Sequence, residues 1–392
     1  MIPYGRQSLD QADIDAVVQV LESDWLTQGP AIERFETSMA ARCEAGFGVA
    51  VCNATAALHI ACLALDLGPG DALWTSPNTF LASANCARYC GADVDFVDID
   101  PKTWNLDVVA LRHKLEHAEQ TGKLPKVLVA VAFSGQSCDM RAIAALAERY
   151  GFAVIEDASH AVGASYAGRP VGCGEFAAMT IFSFHPVKII TSGEGGLVLT
   201  NRPELAERLR SLRSHGMTRD PAQMSQASHG PWYYEQVELG FNYRITDIQA
   251  ALGLSQLNKL EGFLARRREL AARYQALLSG LPLTLPTAQA DARSAWHLYV
   301  VRVQTERVSL SHRQVFEALR VAGIGVNVHY IPVHLQPYYR ALGFEAGDFP
   351  EAEAYYGQAI SLPMYPAMTD QQQDEVIEQL TRLLLTDSTE QA

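Results

Sequence analysis

Between residues 46 and 184, short apolar segments alternate with segments of helical periodicity. The strand-like segments are residues 46–53, 71–76, 93–100, 126–133, 152–159 and 176–184. Helix-like segments lie between the first five of them. Near-continuous apolar strands that alternate with helices are typical of a mainly parallel sheet covered on both faces. The sequence therefore predicts an α/β fold for this part of the chain.

The pattern changes after Gly240. Residues 245–280 predict one long helix with a kink at Gly253, and strands follow at 297–303 and 324–331. Further helices are predicted at 311–323, 351–360 and 370–385. Because 392 residues exceed what one compact core holds, we predict two domains. Residues 1–254 form the large domain with an N-terminal arm, and residues 255–392 form a smaller α+β C-terminal domain.

Composition excludes several classes of partner. A formal net charge of -13 argues against nucleic acid, which requires a basic face. No apolar run approaches the ~20 residues of a membrane span, and no signal peptide is evident at the start. The seven cysteines form no CxxC pair, so we expect buried, reduced thiols and a cytoplasmic protein.

Three segments place functional groups at the carboxyl ends of predicted strands, where ligands bind to parallel sheets. Ala54 and Thr55 open a helix whose free backbone N–H groups can hold an anion. Asp157 ends another strand. Lys188 lies among apolar and small residues in the stretch FSFHPVKIITSGEGG, where desolvation disfavours a charged amine.

An anion seat, a carboxylate and a desolvated amine together match the requirements of pyridoxal phosphate. The Lys188 amine can form a Schiff base with an aldehyde, and Asp157 can keep a pyridine nitrogen protonated. Ser183 offers a hydroxyl to the phosphate in addition to the backbone N–H groups. The sequence therefore predicts a pyridoxal-phosphate site at this edge of the sheet.

Motifs along nearly the whole chain carry a resemblance to a known family. They are WLTQGP, NATAALHIA, FSGQSCDM, VIEDASHAVGA, FSFHPVKIITSGEGG, GFNYRITDIQAALG and VHYIPVHLQPYY. In this order they resemble the sugar aminotransferases of the DegT/DnrJ/EryC1/StrS family. The resemblance implies the type I fold of pyridoxal-phosphate-dependent transferases, with a mainly parallel seven-stranded sheet, and a homodimer with shared active sites.

The resemblance also implies a role for each cofactor contact. Lys188 would be the catalytic residue that carries the cofactor and moves protons, with Asp157 at the pyridine nitrogen. The remaining cofactor residues are His160 beside the ring, Phe80 on the ring's other face, Ala54, Thr55 and Ser183 at the phosphate, and Asn242 from the neighbouring subunit. Because the chain keeps Lys188, whereas some family members carry histidine there and dehydrate a sugar, transamination is favoured.

The implied reaction has two halves. An amino acid, expected to be L-glutamate, converts the cofactor to pyridoxamine phosphate, and the amine then passes to a keto sugar. The C-terminal motifs look most like the enzymes that aminate C4 of a UDP-linked 4-keto-6-deoxy-N-acetyl-L-hexosamine. The product would be UDP-4-amino-4,6-dideoxy-N-acetyl-β-L-altrosamine, for pseudaminic acid and the glycosylation of flagellin or surface polysaccharide. Candidate substrate contacts are Tyr4, Thr27, Arg219, Arg244, His329, Tyr330, His334 and Arg340.

Several alternatives stay open. The enzyme could act on another nucleotide sugar at C3 or C4, or the chain could be a non-catalytic binding protein on the same scaffold. A dinucleotide-dependent epimerase or reductase is disfavoured because no G-x-G-x-x-G turn follows the first strand. His329 and His334 lack the spacing of a zinc motif, so we expect no metal.

Overall fold

The computed structural model describes residues 1–385 and contains a central seven-stranded sheet. Its strands are β1 (Phe47–Val51), β2 (Ala72–Thr75), β3 (Asp93–Phe96), β4 (Val127–Val131), β5 (Ala153–Asp157), β6 (Met179–Ser183) and β7 (Gly196–Thr200). Their order is β1-β7-β6-β5-β4-β2-β3, and only β7 runs antiparallel to its neighbours. The predicted α/β fold with a mainly parallel seven-stranded sheet is confirmed.

Helices cover both faces of this sheet. The helices described in residues 1–385 are Gln11–Leu21, Pro30–Arg42, Ala54–Ala64, Ala82–Tyr89, Val108–Thr121, Met140–Tyr150, Pro203–Arg213, Asp247–Leu257, Leu260–Leu277, His312–Val321, Pro337–Arg340, Pro350–Tyr356 and Asp370–Leu385, with 3-10 turns at Phe133–Gly135 and Val333–Leu335. Leu260–Leu277, His312–Val321 and Asp370–Leu385 place side chains in the apolar cluster of a second, smaller sheet. Strand side chains alternate between the two layers. Ile155 packs in the same apolar cluster as the helices that begin at Ala54 and Ala82, whereas Val154 packs in the cluster on the other face.

A second, three-stranded antiparallel sheet comprises Leu283–Thr284, Tyr299–Val303 and Ala359–Leu362. It packs with the C-terminal helices around its own apolar cluster. The predicted strand at 324–331 is wrong, because that segment makes only isolated bridges, at Ile324 and Asn327. The predicted helix at 351–360 ends early, at Tyr356, because the following residues pair with the strand Tyr299–Val303.

The predicted long helix at 245–280 is two helices. They are Asp247–Leu257 and Leu260–Leu277. The helix is therefore interrupted at Asn258 and Lys259, whereas it runs without a break through Gly253. A Cβ at Gly253 would lie 2.9 Å from Cζ of Phe35. The glycine is therefore explained by close packing between helices, not by a kink.

Short two-residue strands complete the structure at Ser165–Tyr166, Arg169–Pro170, Met217–Thr218, Glu235–Gln236 and Ala292–Arg293. Among residues 1–385, no helix is both long and apolar enough to cross a membrane. The division of the chain into domains 1–254 and 255–392 stays a prediction, and residues 386–392 lie outside the described part of the chain.

Candidate active site

Asp157 lies at the carboxyl end of β5, between β4 and β6, and its side chain is buried. Three donors fix the carboxylate. The Ser83 hydroxyl donates to Oδ2 at 2.7 Å, and Ser159 donates its backbone N–H and its hydroxyl to Oδ1 at 3.1 and 2.6 Å. Ser83 shares a further 2.8 Å hydrogen bond with Thr79. The carboxylate therefore has one defined orientation at the edge of the sheet.

Lys188 follows β6 in a turn closed by the hydrogen bond from its backbone N–H to the His185 carbonyl, at 2.8 Å. Its side chain keeps some exposed surface, but the protein atoms around the ammonium lower its pKa to about 8 by desolvation, while the charge of Asp157 opposes that shift. About a tenth of the amine is therefore unprotonated at pH 7, far more than for an ordinary lysine, and the unprotonated form is the one that a nucleophilic lysine uses. The structure thus brings Lys188 and Asp157 into one charged site.

The predicted anion seat lies at the first turn of the helix Ala54–Ala64. Asn53 caps this helix by accepting a 2.8 Å hydrogen bond from the Ala56 backbone N–H. At such a terminus the first N–H groups have no intrahelical acceptor, and the helix dipole favours an anion.

Gly196 lies where two strands and the first turn of this helix approach one another. It pairs with Val51 on one side and Ser183 on the other, and a Cβ there would lie only 2.5 Å from the Asn53 carbonyl and 2.7 Å from the Ala54 nitrogen. Only glycine permits this approach. The structure therefore places Ala54 and Ser183 close to Gly196 at this edge of the sheet, and Thr55 follows Ala54 in the same helix turn.

His160 and Tyr330 form a hydrogen-bonded pair beside Lys188. The Ser134 backbone N–H donates to Nδ1 of His160 at 3.3 Å, and Nε2 lies 3.2 Å from the Tyr330 hydroxyl. Because a backbone N–H can only donate, the proton of neutral His160 sits on Nε2 and is donated to Tyr330. The Tyr330 proton is then free to be donated elsewhere. Burial, then the charge of Lys188, holds the His160 pKa well below its usual range, which keeps the imidazole neutral.

His297 was not predicted from the sequence. Its ring lies 4.3 Å from that of His160, centroid to centroid, and the side chain is buried. Buried Arg267 donates to the His297 carbonyl at 3.1 Å, and burial lowers the His297 pKa well below its usual range. The only sequence signal was a histidine two residues before the strand Tyr299–Val303. Ser83 and Ser159 were also missed.

Tyr4 and His329, which were predicted to contact substrate, lie near the His160–Tyr330 pair. Phe80, which was predicted to lie on a face of the cofactor ring, also lies near this pair. The Tyr4 ring is 5.5 Å from that of His329, and the His329 Nδ1 lies 2.8 Å from the Ser361 hydroxyl. Burial, then the charge of Lys188, lowers the His329 pKa to about 4. Phe80 is 57% exposed, with its ring 6.2 Å from that of Tyr330.

Other predicted residues are not brought to this cluster. His334 is completely buried against Phe96 and Phe349, and its Nε2 lies 2.9 Å from a Glu353 oxygen. The structure therefore gives His334 a place in the apolar core. Thr27, Arg219, Asn242 and Arg340 are exposed, and Arg244 is half-buried with its backbone bridged to Val51.

The residues present fit pyridoxal phosphate on structural grounds. Gly196 lets β7 approach the N-terminus of the helix Ala54–Ala64, whose free N–H groups can hold a phosphate, Asp157 offers a fixed carboxylate, and Lys188 offers a desolvated amine. Within the described residues 1–385, no group of three or more histidine, cysteine or acidic side chains is arranged to hold a metal ion.

Comparison with known proteins agrees with a pyridoxal-phosphate site. The family described as "DegT/DnrJ/EryC1/StrS aminotransferase family" matches residues 7–381. The chain belongs to this family, as its motifs predicted. It is 42% identical over 380 residues to the Bacillus subtilis "Spore coat polysaccharide biosynthesis protein SpsC", covering 96% of this chain and 95% of that protein.

Two solved structures are similar over nearly the whole chain. The Helicobacter pylori aminotransferase PseC, "involved in the biosynthesis of pseudoaminic acid", superposes with a TM-score of 0.89 at 29% identity, covering 98% of this chain and 99% of that one. The PMP form of a putative sugar aminotransferase from Streptococcus pneumoniae superposes with a TM-score of 0.88 at 30% identity, with the same coverage. Its PLP form is also similar. The predicted type I fold and the predicted cofactor, pyridoxal phosphate, are confirmed.

Proposed function

We propose that the protein transfers an amino group from an amino acid, expected to be L-glutamate, to the keto group of a nucleotide-linked sugar. The observation that carries this proposal is a desolvated Lys188 amine within the electrostatic influence of the fixed Asp157 carboxylate at the carboxyl edge of the sheet. When bound, pyridoxal phosphate supplies an aldehyde that takes up amines and an electron-poor ring that stabilises negative charge on the adjacent carbon.

Each side chain of the cluster has a task in this chemistry. Lys188 holds and releases a proton at Nζ, and a pKa of about 8 suits it to act as both acid and base near neutral pH. Asp157 would accept a hydrogen bond from the protonated ring nitrogen of the cofactor, and Ser83 and Ser159 keep the carboxylate oriented. Ala54, Thr55 and Ser183 would hold the phosphate. His160 orients Tyr330, whose hydroxyl can donate to an acceptor in the site.

We propose that the pocket for sugar and cofactor is lined by Phe80, Tyr4, His329 and Tyr330. Thr27, Arg219, Arg244 and Asn242 are exposed or half-buried, and we propose that they reach substrate or the partner's cofactor across a subunit interface. Exposed cationic side chains suit a diphosphate or a donor carboxylate.

For the sugar, we propose C4 of a UDP-linked 4-keto-6-deoxy-N-acetyl-L-hexosamine, with the product entering pseudaminic acid biosynthesis and glycosylation of flagellin or surface polysaccharide. Support comes from the similarity to H. pylori PseC. The greater identity with the B. subtilis spore coat polysaccharide protein favours a second candidate, the amination of another nucleotide keto sugar at C3 or C4.

We further propose a cytoplasmic homodimer. All seven cysteines are free thiols, which suits a reducing compartment. The helix Gln11–Leu21 exposes three apolar side chains at helical spacing, Ile14, Val18 and Leu21. Trp25 and Leu26 extend this exposed surface, which we call the N-terminal apolar face, and such a surface suits a protein interface.

The test is a substrate screen with the full chain, pyridoxal phosphate and L-glutamate. UDP-linked 4-keto sugars of both hexose series are offered, and the aminated products are identified by mass spectrometry and NMR. Formation of 2-oxoglutarate without sugar reports the first half-reaction separately. We expect Lys188→Ala to abolish both halves and Lys126→Ala, which removes a surface ion pair with Asp71, to retain both. Absence of the first half-reaction with every amino acid tested would contradict aminotransferase activity altogether.

A further inference from the structure

His297 belongs to a junction of three chain segments beside the candidate active site. Its imidazole is buried, and its ring centroid lies 4.3 Å from that of His160, with the two ring planes at 43° to each other. Nε2 of His160 in turn lies 3.2 Å from the Tyr330 hydroxyl. We propose that His297 is a positioning residue for the amino transfer, because its ring fixes the His160 ring and so the hydrogen bond to Tyr330. The effect on transfer rests on the proposed function, whereas the contact itself does not.

The backbone of His297 is held from both sides. Its N–H donates to the Ser134 carbonyl at 3.0 Å, and its carbonyl accepts a 3.1 Å hydrogen bond from the Arg267 guanidinium. Arg267 is itself buried, and it also donates to the carbonyls of Trp296 and Met364, at 3.1 and 3.2 Å. Hydrogen bonds of this kind hold a side chain in one geometry by fixing the backbone that carries it. The imidazole of His297 therefore starts from an ordered segment.

Ser134 connects His297 with His160. It accepts from the His297 N–H, donates its own backbone N–H to Nδ1 of His160 at 3.3 Å, and donates its hydroxyl to the Leu298 carbonyl at 3.1 Å. Its φ is 62°, in the left-handed region that non-glycine residues seldom adopt, and the φ of Trp296 is 51°. Such conformations persist where the surrounding contacts enforce them, and they cluster at functional sites. Two of them meet at this junction.

Gly135 permits the close contact between the three segments. A Cβ at this position would lie 2.8 Å from the Trp296 nitrogen, 2.9 Å from the His297 nitrogen and 3.0 Å from the His160 carbonyl oxygen. The Gly135 carbonyl also accepts a 2.9 Å hydrogen bond from the Ala295 N–H. Because all the nearest atoms belong to the backbone, the two histidines are brought together by main-chain packing and not by their side chains alone.

The contact that carries the proposal is the packing of the two rings. Nδ1 of His297 is buried and has no hydrogen-bond partner among residues 1–385, so hydrogen bonding at this atom does not orient the ring. A buried nitrogen without a partner costs stability. A phenyl ring would remove that cost and still pack against His160. The substitutions His297→Phe and His297→Ala therefore separate the presence of a ring from the presence of an imidazole.

The first test observes His160 by NMR in the purified full chain without added cofactor. Selective 15N labelling of histidine shows which ring nitrogen carries the proton, and a His160→Gln spectrum identifies the His160 signals. In the natural chain we expect the proton on Nε2, because the Ser134 N–H occupies Nδ1. His297→Phe should keep this pattern. His297→Ala should give averaged nitrogen signals, because the ring can then rotate into the vacated space. His113→Ala is the control, at an exposed histidine whose Nδ1 lies 3.7 Å from Glu116 Oε2, and should leave the signals unchanged.

The second test follows the first half-reaction with saturating pyridoxal phosphate. His297→Ala should lower kcat by about 10- to 100-fold with little change in the KM for L-glutamate, because the lost ring acts through His160. His297→Phe should stay close to the natural rate, with a urea midpoint of unfolding no lower than that of the natural chain. Absence of the half-reaction in the natural chain would contradict the proposed function, whereas the NMR result on His160 would be unaffected.

The proposal is overturned if His297→Ala keeps either the natural His160 signals or the natural kcat. It is also overturned if His297→Phe loses either of them, because a ring would then be present without positioning His160. Should His297→Ala fail to fold, as judged by its urea transition, the His297→Phe variant alone decides: natural signals and kcat support the proposal, and loss of either overturns it.

Discussion

At the scale of single residues, the pKa of Lys188 reports its interaction with Asp157, because burial and the charge of Asp157 shift this pKa in opposite directions. Burial lowers the Lys188 pKa to about 8, and the charge of Asp157 counteracts part of that shift. Removing this charge with Asp157→Asn should therefore lower the pKa further, so that more free amine is present at pH 7.

We expect cofactor-free Asp157→Asn protein to acylate Lys188 faster at pH 7 than the natural chain, while its transaminase rate falls by about 100-fold or more. The pH dependence of Lys188 acylation, measured by peptide mass spectrometry, checks the first expectation. Asp291→Asn, which changes an exposed acid in a 3.7 Å ion pair with Arg141, is the control for both. An unchanged rate of Lys188 acylation in Asp157→Asn would show that the two groups do not interact.

Residues of this site differ in how visible they are in the sequence. Lys188 and Asp157 could be predicted together because each follows a strand, and parallel strands end at one edge of a sheet. Ser83 and His297 could not, because nothing local marks the carboxylate or the ring that each meets across the fold. His334 looked like a pocket residue from its motif, yet the apolar rings of Phe96 and Phe349 enclose it.

At the scale of secondary-structure elements, Gly196 sets how closely β7 approaches the helix Ala54–Ala64. In Gly196→Ala the new Cβ would meet Asn53 backbone atoms at 2.5 Å, which neighbouring strands leave no room to relieve. We expect a loss of about 1–3 kcal/mol of unfolding free energy and a weaker affinity for pyridoxal phosphate.

Gly262→Ala provides the matched control, since Gly262 lies in the helix Leu260–Leu277 and a Cβ there would meet nothing within 4 Å. This change should be neutral or stabilise the chain by up to about 1 kcal/mol, because alanine favours a helix. Urea denaturation and fluorescence titration with the cofactor measure the two effects. Equal affinities in the two variants would contradict the role given to Gly196.

Elements were predictable where one periodicity was strong and misassigned where two explanations competed. The β-α alternation from residue 46 gave six of the seven strands of the large sheet, whereas β7, which runs antiparallel after a glycine-rich turn, was not singled out. Gly253 suggested a kink, but its lack of a side chain serves contact with Phe35. The strand Ala359–Leu362 was predicted as a helix end, because its partner, Tyr299–Val303, is distant in the sequence.

At the scale of the whole molecule, the N-terminal apolar face predicts how two copies associate. Ile14 and Val18 are 52% and 40% exposed on one side of the same helix, so burying them against a second copy would remove apolar surface from water. The double variant Ile14→Glu with Val18→Glu should be a monomer in size-exclusion chromatography with light scattering. Val321→Glu, at a side chain 90% exposed on another helix, should remain a dimer. A dimeric double variant would place the interface elsewhere.

The stability of the whole chain should depend on pH through Glu156, which lies on the opposite face of the sheet from Asp157. Its carboxyl is buried and accepts hydrogen bonds from the Ser137 and Thr180 hydroxyls, at 3.1 and 3.3 Å. Burial, only partly offset by these bonds, raises its pKa from 4.5 to about 7.

Because the folded pKa exceeds the unfolded one, the folded chain binds the extra proton between about pH 4.5 and pH 7. Raising the pH through this window therefore removes stability, and the loss is complete above pH 7. Glu156→Gln stays neutral and should unfold with a free energy higher by up to about 3 kcal/mol at pH 8. At pH 4.5 the difference should be small. Urea denaturation of the cofactor-free chain at both pH values measures this, and the exposed Glu148→Gln is the control. If Glu156→Gln were less stable than the natural chain at pH 8, the buried carboxyl would have to be ionised and stabilised by its neighbours.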